Sequence, residues 1–152
     1  MYRVEDVANF FLSKSSMTPK KLLKLVYYAY AWSLALMNED ENDLKYKLFN
    51  NRLEAWIHGP VVPVLYRKYK CFSGQTIPSV PEFDATMFDS DTRDILEQVW
   101  DVYGKYTGYD LESISHREEP WIIARGDAAP WEVKKTRITD KNIFKYYNKR
   151  FG

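Results

Sequence analysis

Two histidines, one cysteine and four lysine–arginine clusters are the residues whose types and spacing bear on chemistry in this chain. His58 stands in Glu54-Ala55-Trp56-Ile57-His58-Gly59-Pro60-Val61, where an alternating, strand-like run meets a Gly-Pro joint. A general base there needs a nucleophile or a substrate proton within hydrogen-bond reach. Its neighbours are apolar, and no Ser or Cys stands beside it. The expected role is structural: a ring that bonds a backbone carbonyl and fixes the turn. His116 lies in Ser115-His116-Arg117-Glu118-Glu119-Pro120-Trp121. Glu119 follows three residues later, a spacing that puts two ligands on one helix face, and His58 would have to complete the set. A metal site needs at least three protein ligands, and two histidines leave little to build one from. No metal is expected. Ser115, His116 and Glu119 are expected instead to hydrogen-bond across a helix–helix corner closed by Pro120 and Trp121. Cys71 has Lys68 and Lys70 near it, and nearby cations lower a thiol pKa. A catalytic Cys also needs a positioned base, so Cys71 reads as a packing residue. No Gly-rich phosphate loop, zinc-type cysteine spacing or serine-hydrolase elbow occurs. These absences argue against an enzyme and imply no cofactor.

The basic clusters are Lys20, Lys21, Lys24; Arg67, Lys68, Lys70; Lys134, Lys135, Arg137; and Lys141, Lys145, Lys149, Arg150. Tyr66, Tyr69, Tyr146 and Tyr147 are interleaved with them, a pattern that single-stranded nucleic-acid surfaces also use. Yet 22 basic residues face 21 acidic ones, for a net charge of +1. With so little net field the clusters read as solvated helix faces, and nucleic acid is not the expected partner. One cysteine excludes an intrachain disulfide and fits a reducing compartment. No apolar run is long enough to span a bilayer, and Glu5 and Asp6 stand where a signal peptide carries only positive charge. The expected location is the cytoplasm. Aromatics reach 16%, with 5 Trp, 12 Tyr and 8 Phe. They supply a bulky core, and Trp and Tyr are also favoured as interface anchors.

These side chains must be positioned by helices. A chain of 152 residues is most simply one domain, able to bury roughly 70% of its unfolded surface. Val4, Val7, Ala8, Phe10 and Phe11 predict a short amphipathic helix over 3–13. Thr18 is placed to cap the next helix and Pro19 to occupy its first position. From Leu22 to Met37 the apolar residues cover most of the circumference, so this helix belongs at the centre of the domain. Leu48-Phe49 and Leu53–Ile57 read as two short strands, with Asn50-Asn51 as a tight turn between them. After Gly59-Pro60, residues Val61–Lys70 predict a helix with Pro63 in its first turn. Trp56 is expected to pack inward, and Tyr66-Arg67-Lys68-Tyr69 to look outward. The stretch 73–90 reads as a loop. Asp91 or Thr92 would cap a helix through Tyr106, which Gly108 helps to stop. Asp110 would cap a short helix through Ser115, and Pro120 would begin another that Gly126 ends. After a loop at 127–137, Thr139 or Asp140 would cap a last helix. The expected fold is mainly α: a single compact multi-helix domain with a buried central helix and a small β-hairpin.

The chain resembles the Panacea-domain antitoxins, also called SocA-like or GepA-like phage-associated proteins. The resemblance rests on Val4–Leu12, on Met17-Thr18-Pro19-Lys20-Lys21-Leu22-Leu23-Lys24-Leu25, on Leu48-Phe49 followed by Glu54–Tyr66, and on Leu111–His116 with Pro120-Trp121. These pieces occur in order along nearly the whole chain. The Thr-Pro-Lys-Lys-Leu-Leu-Lys-Leu helix start and the Glu-Ala-Trp-x-x-Gly-Pro-Val joint are specific when found together. The resemblance implies one such domain over 1–152 and the antitoxin of a type II pair, often carried on prophages. Such a protein neutralises a cognate protein toxin, encoded by an adjacent gene, by direct binding. Many members carry an extra N-terminal segment; here the match begins at the first residues, so an appended DNA-binding domain is not expected. A partner surface needs a buried aromatic centre and a polar rim, and the candidates for it are Trp56, His58, Tyr66, Arg67 and Tyr69. Thr18, Pro19, Gly59, Pro60, His116, Pro120 and Trp121 are expected to shape the fold. The alternatives are a nucleic-acid-binding regulator, or an adaptor that delivers a partner to a protease.

Overall fold

The computed structural model describes residues 1–152. Its seven helices are α1 (Val4–Lys14), α2 (Pro19–Leu36), α3 (Pro63–Tyr69), α4 (Ser90–Tyr103), α5 (Gly108–Ser115), α6 (Glu119–Arg125) and α7 (Asp140–Phe151). Three short strands, β1 (Glu54–Trp56), β2 (Gly59–Val61) and β3 (Thr136–Arg137), form one antiparallel sheet in the order β2-β1-β3. The central helix is α2, as the all-round apolar pattern requires: every residue from Leu22 to Ala35 is buried. Thr18 starts it by accepting a hydrogen bond from the Lys21 amide, and Pro19 fills its first turn. Helices α1, α4, α5 and α7 and the β2 strand all pack on α2. One continuous apolar core results, running from Val4 to Tyr147. No helix is long and apolar enough to cross a membrane.

The sheet is built differently from the expected hairpin. Leu48 and Phe49 are fully buried but form no strand. Phe49 packs its ring 4.8 Å from that of Tyr30 on α2, so its burial comes from a helix rather than a sheet partner. The hairpin instead joins β1 to β2, pairing Glu54 with Val61, Ala55 with Pro60 and Trp56 with Gly59. Only Ile57 and His58 remain for the loop. Gly59 absorbs the reversal at φ +114, a region that side chains rarely adopt. Pro60 is tolerated because β2 is an edge strand. On the other side of β1, Ala55 pairs with Thr136 and Glu54 with Arg137. A strand therefore occupies the end of the stretch expected to be loop. Two-residue strands fall below any periodicity a sequence can display.

Several helix boundaries also differ. Asp89, not Asp91 or Thr92, caps α4: its carboxylate accepts from the Thr92 amide at 2.9 Å and from the Tyr2 hydroxyl at 2.6 Å. Thr107 caps α5, and Asp110 stands at its third position, the two closing a reciprocal capping box. Gly108 thus opens a helix rather than ending one, and its lack of a Cβ lets α5 approach Lys20 and Lys21 closely. Pro63, Pro120 and Thr139 hold their expected starting positions, and Gly126 ends α6 at φ +58.

Candidate functional site

The start of α2, the β1–β2 turn, the outer face of α3 and the 133–135 segment meet around a cleft of about 420 Å³. Three of the expected partner residues, Trp56, His58 and Tyr66, line it together. The Trp56 and Tyr66 rings meet edge to face with centroids 4.8 Å apart, a favoured aromatic geometry. Trp56 packs against the core as expected but stays half-exposed to the cleft; its indole N–H donates to Glu54 Oε1 at 2.9 Å, and the Lys135 ammonium sits 4.5 Å from its ring centroid. Arg67 and Lys68 are exposed beside the cleft. Tyr69 is a correction. The turn of helix that points Tyr66 outward sends Tyr69 into the core, at 6% exposure. Cys71 is likewise exposed rather than packed.

The floor of the cleft holds the least expected residue. Lys24 is only 1% exposed, yet its ammonium finds a single hydrogen bond, to the Pro60 carbonyl at 3.2 Å. Burial strips the ammonium of water and pulls its pKa down to about 7; Glu112 opposes that shift and Lys20 adds to it. Gly59 makes room for this side chain. A Cβ at Gly59 would lie 2.6 Å from Lys24 Cε.

Glu112 on α5 organises the rim. It accepts from Lys20 Nζ at 2.6 Å and stands 3.2 Å from His58 Nδ1. Burial alone would raise its pKa, but the bonds from Lys20 and His58 outweigh that and hold the carboxyl below its ordinary range. His58 is thus anchored by a carboxylate, not by the backbone carbonyl expected of it. His116 stacks on Trp121 with ring centroids 4.0 Å apart and 17° between planes. The Trp121 indole N–H donates to the Trp56 carbonyl at 2.9 Å, tying α6 to the hairpin. At this corner Ser115 bonds the Glu112 carbonyl rather than His116 or Glu119. Glu119 is exposed, and the acid that matters is its neighbour. Glu118, 3% exposed, accepts from the Tyr28 and Tyr147 hydroxyls, each at 2.9 Å, and from Arg150 at 3.2 Å. Burial raises its pKa despite these donors.

The far wall is set by Arg125. This buried guanidinium donates to the carbonyls of Ala129, Glu132 and Lys134 at 2.9–3.0 Å. Arg125 pins the 127–135 loop, which presents Trp131 and Val133 at 79% and 77% exposure beside Lys134 and Lys135. Sequence reasoning missed Lys24 as a floor, Arg125 as an anchor, and Trp131 and Val133 as exposed apolar residues. The one advance signal was the basic clustering. Three of the four clusters send lysines into this one cleft: Lys20 and Lys24, Lys70, and Lys134 and Lys135.

A family model described as antitoxin SocA-like, Panacea domain, matches residues 22–122. That span contains most of α2, the whole hairpin, and α3 through the start of α6. No curated protein and no solved structure matches the chain.

Proposed function

The chain belongs to the SocA-like, Panacea-domain antitoxin family, and from that premise we propose that it neutralises a cognate protein toxin by binding it directly, as the antitoxin of a type II pair. The family match over residues 22–122 carries this reading. The domain is taken to extend over 1–152, because the core draws on α1 and α7 outside the matched span. The proposed contact surface is the cleft with its two flanks. Trp56, His58, Tyr66 and Val133 line it, Arg67 is the exposed neighbour of Tyr66, and the exposed Trp131 stands two residues before Val133 in the chain. Exposed aromatic and aliphatic groups ringed by charge are the composition of an interface centre and rim. Binding alone accounts for the action, without chemistry or a cofactor. The partner is taken to be the product of an adjacent gene, often on a prophage, with both proteins in the cytoplasm.

The test is co-expression. The neighbouring product is expected to arrest growth alone and to be harmless with this chain. The double variant Tyr66→Ala, Arg67→Ala should weaken the purified complex by about tenfold or more, since a central aromatic and an arginine are typical hot spots. An innocuous neighbour removes the antitoxin reading, and an unweakened complex removes the proposed surface. A second reading, a nucleic-acid-binding regulator, draws on the same lysines beside Trp56 and Tyr66. It predicts binding of single-stranded DNA or RNA that falls steeply with added salt.

A further inference from the structure

We propose that the cleft between α2, the hairpin and α3 receives a carboxylate side chain, flanked by an apolar residue, on a segment of the partner protein. This deepens the antitoxin reading and rests on it. Size is the first argument. About 420 Å³ lies at the lower end of the range for small-ligand sites. It suits one or two inserted side chains, not a docked helix.

Charge is the second. Five lysines and His58 line the cleft, and the carboxylate at its rim, Glu112, is taken up by Lys20 and His58. Lys20 is matched by Glu112 at 2.6 Å, and Lys134 has Asp127 at 3.9 Å. Lys70 and Lys135 make no ion pair in the chain, and Lys24 feels Glu112 only at a distance, although elsewhere Lys14, Lys47 and Lys145 are paired with Glu97, Asp140 and Glu41. Unmatched cations converging on one concavity fit an anion supplied from outside.

The floor and walls define the shape of that anion. An ammonium has three donors, and Lys24 spends one on the Pro60 carbonyl. With Lys24 at 1% exposure, the donors open to an incoming anion are those of the exposed Lys70 and Lys135. Trp56 and Tyr66 supply the apolar wall for the neighbouring residue. The donor set favours carboxylate over phosphate. No arginine fork lines the cleft. The start of α2 offers no open amide cradle either, because Pro19 has no N–H and the Lys21 amide is bonded to Thr18 Oγ1.

The probes are N-acetyl-Glu-Leu-amide and its isostere N-acetyl-Gln-Leu-amide, titrated into the isotopically labelled full chain and read by amide chemical shifts. The glutamate probe is expected to perturb residues 56–58, 66 and 133–135 and to bind at least about fivefold more tightly than the glutamine probe. Lys70→Glu with Lys135→Glu, both exposed positions, should keep the melting temperature and weaken the glutamate probe at least about tenfold. Equal affinity of the two probes overturns the proposal, as do shifts confined to other surfaces. Tighter binding of inorganic phosphate or of a single-stranded oligonucleotide in the cleft overturns it in favour of a phosphate site. Toxin neutralisation is measured alongside. If the Lys70→Glu, Lys135→Glu variant neutralises fully and the probes do not discriminate, the carboxylate pocket is wrong while the antitoxin reading stands. If the unaltered chain fails to neutralise its neighbour, the antitoxin reading falls and takes the protein partner with it.

Discussion

Lys24 carries a cost that depends on pH. In the unfolded chain its ammonium titrates near 10.5, and in the fold at about 7. Between those values the unfolded state binds more protons than the folded one, so stability rises with pH across this window. The slope from one such group is at most about 1.4 kcal/mol per pH unit. Lys24→Met, similar in length and without charge, removes that slope. The variant is expected to exceed the wild type in stability most at or below pH 7, and to lose its advantage as pH approaches 10.5. Urea denaturation of both proteins at several pH values measures it; parallel curves would show that Lys24 remains charged in the fold. From sequence Lys24 was one of three clustered lysines on an amphipathic start, and nothing in its spacing separated it from Lys20 and Lys21. What buries it is Gly59, a residue 35 positions away whose missing Cβ leaves the space. Tyr69 was misplaced for a related reason. Alternate aromatic and basic residues do not say which of two tyrosines on one short helix faces the core.

At the scale of elements, helices were legible where capping and periodicity agreed, as at Thr18-Pro19, Pro63, Pro120 and Thr139. The sheet was not. Asn50-Asn51 has hairpin chemistry, but Phe49 is claimed by Tyr30 on α2, and the actual reversal falls at Ile57-His58, just before Gly59. The 127–135 loop shows the same limit: a stretch without periodicity is held in place by one guanidinium. Arg125→Met retains the aliphatic stem and deletes three hydrogen bonds from a buried cation. It is expected to cost about 3 kcal/mol in chemical denaturation. Amide exchange should accelerate selectively at residues 127–135, leaving α2 and α4 protected. If exchange in that loop is unchanged, Arg125 is not its anchor. Partner binding should weaken in the same variant, because Val133, Lys134 and Lys135 of the anchored segment line the cleft.

Over the whole molecule, convergence is what a linear reading lacks. Three basic clusters separated by about 40 to 70 residues become one surface because the hairpin, α3 and the 133–135 segment all abut the start of α2. The balanced net charge hid this, since the acids are spread elsewhere. The same centrality of α2 bears on how the protein comes into being. Its apolar circumference includes Tyr27, Tyr28 and Tyr30, and a principal cover over it is α7, which supplies Ile143, Phe144 and Tyr147. Tyr147 and Arg150 of α7 also complete the hydrogen bonds to Glu118. Each large buried aromatic is worth about 3–5 kcal/mol, and a domain holds only about 5–15 in all. A chain ending at Ile138 is therefore expected to lose cooperative unfolding in calorimetry; a sharp transition would refute this. During synthesis α2 emerges about a hundred residues ahead of α7. A nascent chain thus waits with its greasiest helix uncovered until translation has passed residue 151. A message interrupted before α7 is expected to yield a product open to proteases.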